Sequence, residues 1–123
     1  LVDAAGARTV VPSDDAAYSQ RLNQEAAKSL AAGRAIGLDI SKEHALEWIT
    51  INPAWALGID SVTGSIEVGK NADVVLWSGD PFSVYTRAEK VWVDGAMLFD
   101  RADAAQDWRT DFELGYVPAR GTR

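Results

Sequence analysis

The sequence predicts an α/β unit followed by a small β unit, and three features of its pattern carry that prediction. Apolar residues recur at helical spacing as far as Gly58, then alternate or run in short β-branched blocks. Lys90-Val91-Trp92-Val93 and Ala96-Met97-Leu98-Phe99 flank Asp94-Gly95, the strongest short-range hairpin signal in the chain. Glycines at 37, 58 and 69 stand where one pattern stops and the next begins.

In chain order, Leu1 to Gly6 reads as the tail of a helix stopped by Gly6. Thr9-Val10-Val11, closed by Pro12, is long enough for one buried strand. From Ala16 to Ile36 the composition is helical, with Leu22, Ala26 and Leu30 on one face, and Gly37 ends the helix. Ser41 is a good N-cap for a second helix that turns Ala45, Leu46 and Ile49 to one side. Asn52-Pro53 starts a third, very short helix with proline at its first position and Gly58 at its end. Ser65-Ile66-Glu67-Val68 alternates like a half-buried strand, and Gly69-Lys70-Asn71 is a turn. Val74-Val75-Leu76-Trp77 is apolar on both faces and reads as a central strand, broken by Ser78-Gly79-Asp80-Pro81. Beyond Asp100 an extended or helical tail is expected to pack weakly. Neither unit closes on itself, because one strand with helices is no sheet and about four strands leave edges to cover.

Composition excludes several classes of partner. The 123 residues suffice for one domain with a core, and 47% apolar content is too high for a disordered tail. The net charge is -6, and the lysines and arginines form no basic run. Nucleic acid and anionic membrane are therefore not expected partners, since both need clustered positive charge. Without cysteine there is neither a disulfide nor a thiolate metal site. No apolar stretch approaches the ~20 residues of a membrane span. The chain starts at Leu1 with no visible signal peptide, as expected of a cut through a larger protein; the compartment, exported or cytoplasmic, stays open.

Each candidate motif has a plainer reading. Gly64-x-x-x-x-Gly69-Lys70 nearly matches a phosphate-binding loop, but Asn71 stands where Ser or Thr should hold magnesium, and a strand follows where a helix should. It reads as a turn. Ser13-Asp14-Asp15, after a strand and before a helix, is either a helix N-cap or a carboxylate held at a strand's C-terminal end, where parallel α/β barrels carry their chemistry. His44 is the only histidine, and it reads as a solvent-facing helical residue beside Lys42, Glu43 and Glu47. Trp77 and Trp92 read as core packing, with a sugar-stacking platform as the rival. Asp111, Glu113 and Arg120 read as solvated surface.

The wording of the residues then narrows the field. Ile49-Thr50-Ile51-Asn52-Pro53-Ala54, Ala56-Leu57-Gly58-Ile59, Gly64-Ser65-Ile66-Glu67-Val68-Gly69-Lys70, Ala72-Asp73-Val74-Val75-Leu76-Trp77 and Val93-Asp94-Gly95 together resemble the C-terminal signature of the amidohydrolase superfamily. Trp77-Ser78-Gly79-Asp80-Pro81-Phe82 resembles in particular the branch near imidazolonepropionase, which also holds metal-dependent dipeptidases of the Xaa-Pro type. Asp111-Phe112-Glu113-Leu114-Gly115 looks like the ending of many exported members. The resemblance covers nearly the whole chain and says little about substrate, because the substrate-contacting loops lie mostly upstream.

The resemblance implies a (β/α)₈ barrel with one or two divalent metals, zinc by expectation, and a small β-sandwich built from both chain ends. Residues 1–58 are then the last barrel strand and its helices, and residues 59–123 part of the sandwich with its tail. It implies that Asp14 is a metal ligand and also the general base, then acid, of a hydrolase of carbon–nitrogen bonds. A metal-bound water is acidic enough to give hydroxide near neutral pH, and a carboxylate beside it can pass the proton to the leaving nitrogen. The other ligands belong upstream, so the chain alone is expected to be inactive. Asp15 is assigned a cap or a supporting position. Expected partners are the upstream chain of the same enzyme, a small-molecule or peptide-like substrate and, for uncovered strand edges, a second copy. The rival reading is a non-catalytic β-rich interaction or sugar-binding module.

Overall fold

A computed structural model describes residues 2–15 and 19–103. The first turn of the expected helix from Ala16, the C-terminal tail with Asp111, Glu113 and Arg120, and Trp108 lie outside the described residues.

A short 3-10 turn, Asp3–Ala5, ends at Gly6, whose φ of +82° is the left-handed stop the sequence announces. Among the described residues three helices follow: α1 (Leu22–Ala35), α2 (Lys42–Glu47) and α3 (Ile51–Ala56). Helix α1 turns Ala26, Leu30 and Gly33 inward, extending the predicted face by one turn. The Ser41 hydroxyl caps α2 by accepting the His44 N–H at 3.0 Å. Helix α3 begins at Ile51, so Pro53 is its third residue and not its first. An early proline is tolerated because the first N–H groups of a helix have no partner within it. Gly58 follows with φ +72°.

The core sits between α1 and α2. Leu30, Ile40, Ala45 and Trp48 form it, with Val11, Leu38 and Phe82 packed against it. Phe82 comes from the loop after the first strand, so this core reaches from the helical part into the β part. The Asn23 side-chain amide donates to the Pro81 carbonyl at 2.6 Å, and Lys42 pairs with Asp80 across the same junction.

Among the described residues the β part is one antiparallel sheet of three strands in the order β1 (Val74–Trp77), β2 (Ala88–Val93), β3 (Ala96–Asp100). Strands β2 and β3 meet at the predicted hairpin, where Asp94 has φ +51° and Gly95 φ +78° and Val93 pairs with Ala96. Positive φ at both central residues is what a two-residue hairpin turn requires, and Asp-Gly tolerates it. The register shifts between Val91 and Trp92, which leaves a bulge in the ladder.

Three strand expectations are corrected. Thr9-Val10-Val11 is not a strand: the Val11 N–H donates to the Trp48 carbonyl, and the Thr9 carbonyl accepts from the Asn52 side chain. β-Branching gives extended backbone, but a strand also needs a ladder neighbour, and these groups are engaged with helix ends instead. Ser65 to Val68 is a turn-rich loop, with Ile66 and Val68 fully outward. Its own polar groups close it: Lys70 Nζ reaches the Ser65 hydroxyl at 2.6 Å, and the Lys70 N–H reaches the Glu67 carbonyl. Strand β1 lies at the sheet's edge and not its centre, and Val75 and Leu76 are exposed. Fold class is thus seen as helices plus a small antiparallel sheet; closed barrel and sandwich layers are not features of the described residues.

Candidate functional site

Asp14 lies on an exposed bend directly after the extended Thr9–Pro12 segment. Its neighbours shape that bend: the Ser13 hydroxyl donates to the Asp15 carbonyl at 2.6 Å, and the same carbonyl accepts the Ser19 N–H at 3.2 Å. Ser13 therefore closes a local turn ahead of α1, which begins only at Leu22. Asp14 and Asp15 are both exposed.

A carboxylate oxygen is a hard donor of the kind divalent ions take, but a zinc site needs about four convergent ligands. Among the described residues no three His, Asp or Glu side chains gather closely enough to hold an ion. The described residues by themselves do not assemble a metal site.

The titratable cluster that the structure does assemble lies elsewhere, around His44. The short α2 places His44 and Glu47 one turn apart, and the imidazole Nδ1 lies 3.0 Å from Glu47 Oε2. Its Nε2 lies 2.9 Å from Asp3 Oδ1, which also accepts the indole N–H of Trp48 at 3.0 Å. The His44 ring meets Trp48 edge-on with centroids 6.0 Å apart. The hydrogen bond to Asp3 raises the His44 pKa above its ordinary value against the opposing effect of burial, with the charges of Asp3 and Glu47 adding to it. Burial pushes the Asp3 carboxyl up, but the hydrogen bonds from His44 and Trp48 and the charge on His44 outweigh it and hold the pKa below its usual value. A surface cavity of about 320 Å³ opens beside the cluster, lined by Asp3, Arg8, His44, Glu47, Ile51 and Asn52.

Sequence reading missed this cluster. Glu47 at i+3 was visible as a neighbour of His44; Asp3, 41 positions away, carries no local signal. The expectation of a purely solvent-facing histidine is corrected accordingly.

The other candidates fall into place. Lys70 of the phosphate-loop look-alike is turned back onto Ser65 and Glu67, and Gly69 has φ +94°, so the segment is a turn. Trp48 is a core residue, whereas Trp77 and Trp92 are half-buried. Trp92 pairs with Val74 and Trp77 with Ala88, and the register shifts between Leu76 and Trp77. Neither ring is the fully exposed platform that sugar stacking would use. Trp55 is exposed, with the Arg8 guanidinium 4.6 Å above its ring.

Residues 6–99 match the model of the amidohydrolase family. Amidohydrolase tasK of Hapsidospora irregularis is 35% identical over 71 residues, which are 58% of this chain and 7% of that protein. Imidazolonepropionase of Shewanella frigidimarina (strain NCIMB 400) is 58% identical over 38 residues, 31% of this chain and 9% of that one. The crystal structure of an amidohydrolase from Thermotoga maritima MSB8 aligns with a TM-score of 0.52 and 41% identity, covering 62% of this chain and 19% of the other. The chain spans less than a tenth of the two relatives and 19% of the Thermotoga chain.

Proposed function

The chain belongs to the amidohydrolase family, and on that footing we propose that it is the C-terminal part of a metal-dependent hydrolase of amide, cyclic-amide or peptide-like carbon–nitrogen bonds. The observation that carries the proposal is the family match over residues 6–99, which takes in the extended Thr9–Pro12 segment and the Asp14 bend that follows it. In this reading residues 1–58 complete a (β/α)₈ barrel, and residues 59–123 contribute to a β-sandwich that shields the barrel's flank.

Asp14 is the chain's contribution to the chemistry, as one carboxylate ligand among donors that the upstream part supplies. A bound divalent ion, zinc in this proposal, would polarise the scissile carbonyl and acidify water. The protein's own step is proton transfer. Asp14 accepts a proton from the attacking water and returns it to the departing nitrogen, which would otherwise leave as a poor amide anion. Its place on an exposed bend, outside the hydrophobic core, suits a group that must meet solvent and substrate. The partners this implies are the upstream chain and a small-molecule or peptide-like substrate.

The experiment is an assay of the full-length protein against simple amides, cyclic amides and dipeptides, with and without a chelator. Release of amine from at least one class, lost with the chelator and restored by a divalent metal, is the expected result. No hydrolysis in any class would overturn the proposal.

A further inference from the structure

The Asp3–His44–Glu47 cluster has a property that follows from counting donors. Both ring nitrogens of His44 lie within hydrogen-bond distance of carboxylate oxygens, 2.9 Å at Nε2 and 3.0 Å at Nδ1. Ionised carboxylates only accept, and a neutral imidazole has a single N–H to give. A neutral ring therefore satisfies one carboxylate and turns a lone pair on the other. Only the doubly protonated ring satisfies both.

We infer that His44 is a charge-dependent clasp, gripping Asp3 with one nitrogen and Glu47 with the other, that pins the segment leading to Asp14 onto α2. The grip lies where the chain path needs it. Asp3 is the first residue of the 3-10 turn, and the Asp3 carbonyl closes that turn by accepting the Gly6 N–H. Downstream, the Thr9 carbonyl and the Val11 N–H are bound to Asn52 and Trp48, so the whole lead-in is laced to the end of α2 and to α3. The Trp48 indole N–H donates to the same Asp3 Oδ1 at 3.0 Å, a second bond that fixes this carboxylate oxygen beside the ring.

Asp3 faces the ring from the 3-10 turn and Glu47 from its own helix. Arg8 lines the cavity on one side of the cluster and Asp39, before α2, the cavity on the other. The direct contacts are both acidic and favour the charged ring, in line with the upward shift of its pKa. Because the folded pKa is raised above the unfolded one, the clasp is fully present below the unfolded value near 6.5 and is lost as pH rises through the folded pKa. Asp3 sets the other limit: its pKa is lowered on folding, so its share is present above 3.8 and is lost as pH falls through its folded pKa. The clasp thus closes between the two titrations and opens on the alkaline side first by loss of one proton from His44.

The test reads no activity and so stands apart from the hydrolase proposal. In the full-length protein, the ring protons of His44, assigned by their absence in His44→Phe, are titrated by NMR. The expected midpoint lies above the ordinary 6.5. Asp3→Asn is expected to bring it down by removing the nearer charge, and Glu47→Gln by a smaller amount, while Asp14→Asn leaves it in place. Thermal midpoint against pH gives the second readout: the wild type loses stability across the His44 titration, and His44→Phe shows no step there. A wild-type midpoint at or below 6.5 overturns the clasp whether or not any variant folds, and so does a midpoint that Asp3→Asn leaves unmoved.

Discussion

Gly64 illustrates how tightly a single position can be set. Its φ is +90°, and a Cβ there would lie 2.7 Å from the Ala54 Cβ and 3.1 Å from the Thr50 carbonyl oxygen. Neither neighbour can move aside, since one is a methyl anchored to α3 and the other is backbone. Gly64→Ala should therefore cost the left-handed penalty, about 1–2 kcal/mol, and an overpacking cost of about 1–3 kcal/mol. Gly69→Ala is the control, because Gly69 has a similar φ of +94° but open space around it, and only the first cost applies. Denaturant unfolding of the full-length protein compares the two; equal losses would mean that the Ala54 contact does not constrain this turn. From sequence, Gly64 reads only as a turn residue. The left-handed backbone is a local property and can be read; the approach of α3 from ten positions upstream is a packing property and cannot. His44 gives the same lesson. Glu47 is local and visible, whereas Asp3 meets it only after the chain has folded back.

At the scale of elements, what was legible was what is fixed locally. The Ser41 cap, the left-handed stops at Gly6, Gly37 and Gly58, and the Asp94-Gly95 hairpin all depend on a few consecutive residues, and all are present. Ser41→Ala removes the hydroxyl that accepts the His44 N–H and should cost about 1 kcal/mol, read as a lower midpoint in denaturant; no change would assign the start of α2 to packing alone. The hairpin has a further support that no short window reveals. The Asp73 carboxylate accepts the Asp94 N–H at 2.9 Å and the Thr63 hydroxyl at 2.8 Å, and these bonds lower its pKa. What failed were elements whose existence depends on a neighbour. Thr9–Val11 and Ser65–Val68 carry β-type patterns, yet the groups that meet them are helix ends in one case and their own loop in the other. Burial of β1 was overestimated for the same reason, since an apolar run reads as central until the strand order is known.

For the whole molecule, the balance of apolar surface is the telling quantity. The chain is 47% apolar, yet among the described residues the buried hydrophobics are Ala26, Leu30, Ile40, Ala45, Trp48 and Ala54. Val75, Leu76, Met97 and Leu98 stand exposed on two of the sheet's three strands, and Ile66 and Val68 on the adjoining loop. Apolar surface of that kind favours burial, and the proposed remainder of the enzyme is the partner that would cover it. The family was legible because its signature is carried by residue identity from Asn52 to Gly95, across α3, strand β1 and the turns that follow each of them. The role of Asp14 rests on the Ser-Asp wording after an extended run, and it is the claim on which the functional account depends. The most direct measurement is the steady-state turnover of full-length Asp14→Asn beside Asp15→Asn, at saturating metal and with thermal midpoints recorded. Loss of the base should slow Asp14→Asn by about 100-fold or more with the fold retained, and Asp15→Asn should turn over nearly as the wild type does. Normal turnover in Asp14→Asn would contradict the account, and with an inactive Asp15→Asn beside it would move the role to the neighbouring carboxylate.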